Sequence, residues 1–345
     1  MMRTRLLWPL FALVAIAGSA HAQKRQPVAP GNEERRLVEE ANEFHDHQDV
    51  DAAIARYEQV LAMNPHNVDA LYELATCRYE RQEFAACEQV ARRGVQYESE
   101  HLGSFYVTLG ACYDRMGRPQ EAESTYREGL RFDSTNFLLY YNLAVTSLGL
   151  NKLNGARDAF EHALLLNPNH ASSHFGLGQL YFVRGYRVPA LLALSRALLL
   201  EPSSGRAESA IQMLRALLKL PPTVSGAATF KPSRHHEEGD FSGLDAAIVA
   251  AAPHAVTDGQ ATLPDHLRAA LQLIGGNSGR TREPSFAGRY YQPYVVAAVR
   301  AGYLETMVCI VTRTLQPEER AACRDDAKAE DAYLKWTRSY HWTVR

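Results

Sequence analysis

Apolar residues return along this chain in two registers. Within short stretches they recur at spacings of three and four, the pattern of a helix with one buried face. "LLLNPNH" (residues 164–170) and "LLLEPSS" (198–204) each close such a stretch with a proline, and Pro168 and Pro202 lie 34 residues apart. Pro65 in "LAMNPHN" stands in the same setting. Proline stops a helix there because it has no amide hydrogen and restricts the residue before it. The longer register is carried by small residues. Ala53, Cys87, Ala122, Ala156 and Ala190 are separated by 34, 35, 34 and 34 residues.

Similar residues surround each anchor at fixed offsets. The stretch from Phe137 presents Tyr140, Leu143 and Ala144, then Ala156, Phe160, Ala163 and Pro168. The stretch from Ala171 presents His174, Leu177, Gly178 and Tyr181, then Ala190, Leu194, Ala197 and Pro202. Five units follow: 34–67, 68–102, 103–136, 137–170 and 171–204, with one extra residue between the second and third. Each unit predicts two amphipathic helices. A small residue on the first (Ala41, Ala75, Gly110, Ala144, Gly178) and one on the second let the two approach closely. A single hairpin cannot bury its apolar face, so three or more must stack into a continuous core.

These positions resemble the tetratricopeptide repeat across residues 34–204, about half the chain. The departures are Ser99 and Ser134 at the closing proline and Ser147 where an aromatic is usual. The resemblance implies an all-α fold, a right-handed superhelix of helix-turn-helix units, and a role in binding proteins. "GRAESAIQMLRALLKL" (205–220) reads as a helix that caps the array, stopped by Pro221 and Pro222.

Residues 221–240 have linker composition. Beyond them, helical patterns over 242–252, 263–274, 292–315 and 317–342 predict a C-terminal helical domain over 241–345, with a turn at Gly302. At the other end, "MMRTR" precedes a short apolar run over 6–18 and "AHA" at 20–22. That order predicts a signal peptide over 1–22, cleaved before Gln23, and a linker over 23–33. An exported protein, periplasmic in location, is the expectation. No other apolar run approaches the length of a membrane span.

Composition sharpens this reading only slightly. With 46% hydrophobic and 22% charged residues the chain is of ordinary globular type. The formal charge of −2 becomes −4 once Arg3 and Arg5 are removed with the leader, so no basic field suggests nucleic acid. Of the five cysteines, Cys309 and Cys323 flank "TLQPEE" and could pair across a helical hairpin. No CxxC or Cys/His metal spacing occurs, and no cofactor is implied.

Candidate chemistry is sparse. His235, His236, Glu237 and Glu238 in "RHHEE" carry the alternative reading, a metal-dependent or enzymatic activity in the C-terminal domain. "FHDHQDVD" (44–51) falls at a turn where polar residues are expected, and "GGNSGR" (275–280) lacks the Lys-Ser/Thr pair of a phosphate loop. A surface remains. The inner face of the first helices would present Asn42, Tyr72, Tyr79, Tyr141, Leu148, Phe175, Gln179 and Phe182, apolar and aromatic in its later half. Some members of the resembled family clamp a terminal carboxylate with Lys, Asn and Arg. Only Asn42 fits that set. Two occupants compete for the stripe: a protein or peptide partner, or the chain's own C-terminal half. The expected function is an exported, non-enzymatic scaffold that binds proteins through this groove, with cell-envelope assembly as one setting.

Overall fold

A computed structural model describes residues 24–220, 229–233, 238–251, 262–276, 285–320, 323 and 326–342. The leader over 1–22 and His235, His236 and Glu237 lie outside the described residues. Among those described, sixteen helices and no strand are present. Five helix pairs follow one another: α1 (Asn32–Asp46) with α2 (Val50–Met63), α3 (Val68–Glu80) with α4 (Phe84–Gly94), α5 (Leu102–Arg115) with α6 (Pro119–Phe132), α7 (Phe137–Gly149) with α8 (Leu153–Leu166), and α9 (Ala171–Arg184) with α10 (Arg187–Leu200).

The same backbone turn joins the two helices of every pair. Its central residue is left-handed: Gln48, Gln82, Gly117, Asn151 and Gly185, with φ of 62°, 61°, 72°, 56° and 81°. The amide after it reaches back five residues. Asp49 N–H donates to Phe44 O at 2.9 Å, and Glu83, Arg118, Lys152 and Tyr186 do the same one unit on each time. This two-bond ending satisfies carbonyls that the helix end leaves open. Its left-handed residue favours Gly or Asn, and three of the five are one of these.

The close approach has a direct measure at Gly110. A β-carbon there would lie 2.3 Å from the ring of Tyr126, the aromatic that α6 lays across α5. Ala41, Ala53, Ala75, Ala91, Ala122, Ala144, Ala156 and Ala163 are all fully buried at equivalent seams. First helices of successive units also touch each other: α1 meets α3, α3 meets α5, and α5 meets α7. Second helices pack instead on the first helices before and after them. The first helices therefore form the inner face of the stack.

α11 (Ala207–Leu217) follows α10 and packs on α9 and α10. It ends on the same turn as the five first helices, with Lys219 at φ 59° and Leu220 N–H donating to Arg215 O at 2.8 Å. It thus has the placement and closing turn of a sixth first helix, beyond the plain cap that the sequence suggests.

The C-terminal region adds α12 (Ser242–Ala251), α13 (Leu263–Gly276), α14 (Phe286–Arg300), α15 (Leu304–Val311) and α16 (Ala327–Ser339). α14 and α15 are bent 119° apart about Gly302, whose φ is 82°. The helical reading of 317–342 is shortened, because Asp326 caps α16 by accepting from the amides of Lys328 and Ala329. α12, α14 and α15 all pack on α10. This explains why α10 is buried at every position from Arg187 to Leu199. By contrast α6, the second helix of the third unit, buries only one stripe. No single helix among the described residues is long and apolar enough to cross a membrane, although the bent α14–α15 pair passes by length and composition.

Two disulfides staple this arrangement. Cys309 joins Cys323, with Cα atoms 5.3 Å apart. Cys87 on α4 joins Cys112 on α5, binding the second unit to the third. Cys77 is a buried free thiol, pushed up to about 12 by desolvation.

Two outcomes are expected. Gly110→Ala lowers stability by about 1–3 kcal/mol in denaturant titration, because Tyr126 must leave its place. Non-reducing peptide mapping recovers both disulfides and Cys77 as the lone thiol. Recovery of free Cys87 and Cys112 would contradict the second staple.

Candidate protein-interaction site

The expected groove residues lie along the inner face, but in unequal circumstances. Asn42 is exposed, and its side chain accepts from the hydroxyl of Tyr57 at 2.6 Å. Tyr72 stacks on His101 with ring centres 4.7 Å apart and meets Phe105 edge-on. Tyr79 stands edge-on to Phe84, and Tyr141 edge-on to His170. These rings are half-buried and held from behind, which suits an anchor because little side-chain freedom remains to be lost. Leu148 is half-buried and Gln179 exposed. Phe175 is half-covered by the start of α11, where the Arg206 guanidinium lies 5.9 Å from its ring.

Phe182 departs from the expectation. It is buried beneath Phe230, with ring centres 5.5 Å apart, and is closed to a partner. The cause is the segment 229–233, which runs along the turn of the fifth unit. There Ser233 N–H donates to Gly185 O at 2.9 Å. Gly185 is needed twice over, since a β-carbon would also lie 2.3 Å from Lys231 O.

Val145, which the helical spacing also puts on this face, is 46% exposed. Two inner-face residues outside the expected set, Leu138 and Val183, are exposed at 38% and 70%. Their helical spacing relative to Tyr141 and Phe175 was the signal that could have found them.

The described C-terminal helices lie against the outer side of the last units. Tyr290 on α14 donates its hydroxyl to Leu164 O at 3.2 Å. Tyr291 pairs with His174 Nδ1 at 2.8 Å, while His174 Nε2 lies 2.9 Å from Pro168 O. A carbonyl can only accept, so Nε2 carries the hydrogen and Nδ1 accepts from the tyrosine. Full burial holds His174 well below the usual histidine range, with Arg196 adding to the effect. Arg196 is itself 2% exposed. It donates to Tyr294 Oη and Asn169 Oδ1, each at 3.0 Å. The rings of Tyr294 and Trp342 lie 4.9 and 5.0 Å from its guanidinium.

A second polar patch closes the same seam. Arg157 on α8 pairs with the buried Glu238 at 2.9 Å, so Glu238 is already engaged within the fold. Glu161 sits beside them. Desolvation, then the charge of Glu238, raise its carboxyl to about 7, against the opposing pull of Arg157. Asp158 adds to the rise, and the Tyr181 hydroxyl donates to Glu161 at 3.3 Å. Among the described residues no group of three or more His, Cys, Asp or Glu side chains is placed to hold a metal ion.

This is the architecture of a stacked helical-hairpin scaffold. Tetratricopeptide repeat models match residues 44–101, 103–136 and 138–170, so this part of the chain is a tetratricopeptide repeat array. The general transcriptional corepressor ssn6 of Schizosaccharomyces pombe is 26% identical over 123 residues, 35% of this chain and 11% of its own. The human protein O-mannosyl-transferase TMTC3 is 27% identical over 113 residues, 32% of this chain and 12% of its own. The Hsp70-Hsp90 organising protein of Plasmodium falciparum is 24% identical over 166 residues, 46% of this chain and 28% of its own. The chain thus spans between 11% and 28% of the length of these relatives. Among solved structures, PilF of Pseudomonas aeruginosa aligns with a TM-score of 0.48 and 19% identity, covering 54% of this chain and 83% of that one. MamA aligns with a TM-score of 0.43 and 20% identity, covering 47% and 94%.

The seam makes a pH prediction. Glu161 is easier to protonate folded than unfolded, so its contribution to stability is highest below the ordinary carboxylate range. It declines as pH rises towards 7. Glu161→Gln removes that decline. Thermal melts of wild type and variant should nearly coincide at pH 4 and diverge by pH 8 in favour of the variant. The gap is roughly 3 kcal/mol, at about 1.4 kcal/mol per tenfold change in ionisation constant. A constant gap across that range would reject this role for Glu161.

Proposed function

We propose that this protein is an exported scaffold that holds a protein or peptide partner on the inner face of its repeat array, with no chemistry of its own. One observation carries the reading. The fifth unit is covered on its outer side by the C-terminal helices, yet the fourth and fifth units leave Leu138, Tyr141, Val145 and Val183 open or half-open on the inner side. A chain with enough apolar helix to fill its own groove has placed that helix elsewhere. Exposed apolar side chains gathered on one face mark an interaction surface, and burying each large one is worth roughly 1.5–3 kcal/mol.

The relatives support the coarse reading and argue against transferring a reaction. A corepressor, a mannosyl-transferase and a chaperone organiser share with this chain a stretch that is a small part of each. The stretch common to such differently named proteins is a scaffold. Export is supported by the basic-apolar-small order of the leader and by two disulfides, which persist in oxidising compartments. An envelope setting follows from export. Of the residues behind the enzymatic alternative in the C-terminal domain, Glu238 pairs with Arg157.

A photo-crosslinking amino acid placed at Val145, and separately at the outer-face position Leu165, tests the groove. In intact cells the inner position should capture a discrete protein that the outer one does not. The Tyr72→Ala, Tyr141→Ala, Phe175→Ala variant should lose it while keeping its helical circular dichroism. Equal capture at both positions, or capture that survives the triple variant, would reject the groove. N-terminal sequencing of the mature protein should begin at Gln23.

A further inference from the structure

The inner face changes character along its length. Helical geometry puts six positions of each first helix on that side, those flanking the aromatic site at steps of three and four. On α1 and α3 these positions hold five carboxylates: Glu39, Asp46, Asp69, Glu73 and Glu80. All but Glu73 are exposed, and Glu73 is half-buried, its carboxyl raised by desolvation. The opposing cations are few. Arg35 shares the face of α1, where it donates to Asn32 and Pro30 O. His45 pairs with Glu80 at 2.8 Å, and His101 with Asp69 at 3.2 Å.

α5 is transitional, with Asp114 turned to the Tyr126 and Thr146 hydroxyls at 3.0 and 2.7 Å, and a cation, Arg115, at the position equivalent to Asp46 and Glu80, its guanidinium 5.1 Å from the Phe84 ring. On α7 and α9 the equivalent positions hold no charged residue. They present Leu138, Tyr141, Val145, Leu148, Phe175 and Val183.

Resting on the groove reading above, we infer that the partner is a linear segment of split character, with a cationic end lying on the first two units and an apolar end on the last two. Charge complementarity selects the first part. A carboxylate-rich surface attracts Lys and Arg and repels acidic chains, including a free terminal carboxylate. Apolar burial selects the second, and the order of the two fixes the direction in which the segment lies. Four spacings of roughly 10 Å between helix axes make the strip about 40 Å long, which about 12 extended residues span.

Fluorescence anisotropy with three labelled peptides tests this on the full chain. The first has 12 residues, with Lys and Arg confined to one half and Leu and Phe to the other. The second has the same composition with the two kinds alternating. The third replaces the basic residues by Glu. The split peptide should bind at least about tenfold more tightly than either other, and its affinity should fall with added salt. Glu73→Gln with Glu80→Gln should weaken it by about fivefold and flatten the salt dependence. Leu138→Ser with Val145→Ser should weaken it while leaving the salt dependence intact.

Equal binding of split and alternating peptides, or no split-peptide binding at 100-fold excess over ~1 μM protein, overturns the inference. That outcome leaves the groove standing if the crosslink at Val145 is still lost in the triple variant. Conversely, split-peptide binding unaffected by the triple variant would place the peptide elsewhere and reject both.

Discussion

Two helices can lie against each other at short range only where one offers almost no side chain. The stack depends on that constraint. At Gly110 the ring of Tyr126 occupies the space a β-carbon would need. Elsewhere the seam is kept by alanines with no exposed surface. Because the approach is close, large residues three and four positions away can interlock without voids. Because every hairpin closes on the same left-handed turn, the interlocking repeats in phase. A continuous core then runs from Leu37 in the first unit to Tyr333 on α16.

Once the phase is set, the two faces of the array are no longer equivalent. First helices touch each other and line the inner side, whereas second helices alternate with them and face outward. At the fifth unit the outward helix α10 is buried all round, and the C-terminal helices cover it. The stack therefore does not end as a repeat ends. Its outer side is closed by a different helical packing, and its inner side continues onto α11 with one more repeat-like turn.

The repeat was legible because it is periodic and local. Ala53, Cys87, Ala122, Ala156 and Ala190 announce five hairpins by their spacing alone. "VPALLALSRALLL" also carried a readable sign, since a helix without a polar face must be covered on more than one side. Other features left no such trace. Cys87 reads as one small residue in the series, and only the fold brings it to Cys112. Phe182 fits the inner-face spacing well, but Phe230, 48 positions on, lies over it. Arg196 falls where a solvated cation would be assumed. Its burial depends on Tyr294 and Trp342, which are separated from it by long stretches of chain and belong to no period. Sequence periodicity reports contacts between equivalent positions, and the seam with the C-terminal helices joins positions that are not equivalent.

That seam uses charge sparingly and at a cost. Arg196 is buried with tyrosine, asparagine and ring faces as partners. Removing a guanidinium from water costs several kcal/mol, and neutral partners return only part of it. A leucine at this position would hold one apolar helix to another with no such desolvation penalty. The guanidinium does what leucine cannot. Its directional donors accept one placement of Tyr294 and Asn169, so a slide of α14 along α10 would leave a buried charge without its bonds. The same logic holds for Arg157 and Glu238 at the other edge. An apolar helix such as α10, with leucines at nearly every turn, has many near-equivalent ways to be covered. Polar pairs at both edges select one. Among the described residues the C-terminal helices thus have one seat, on α10 at the outer side of the stack.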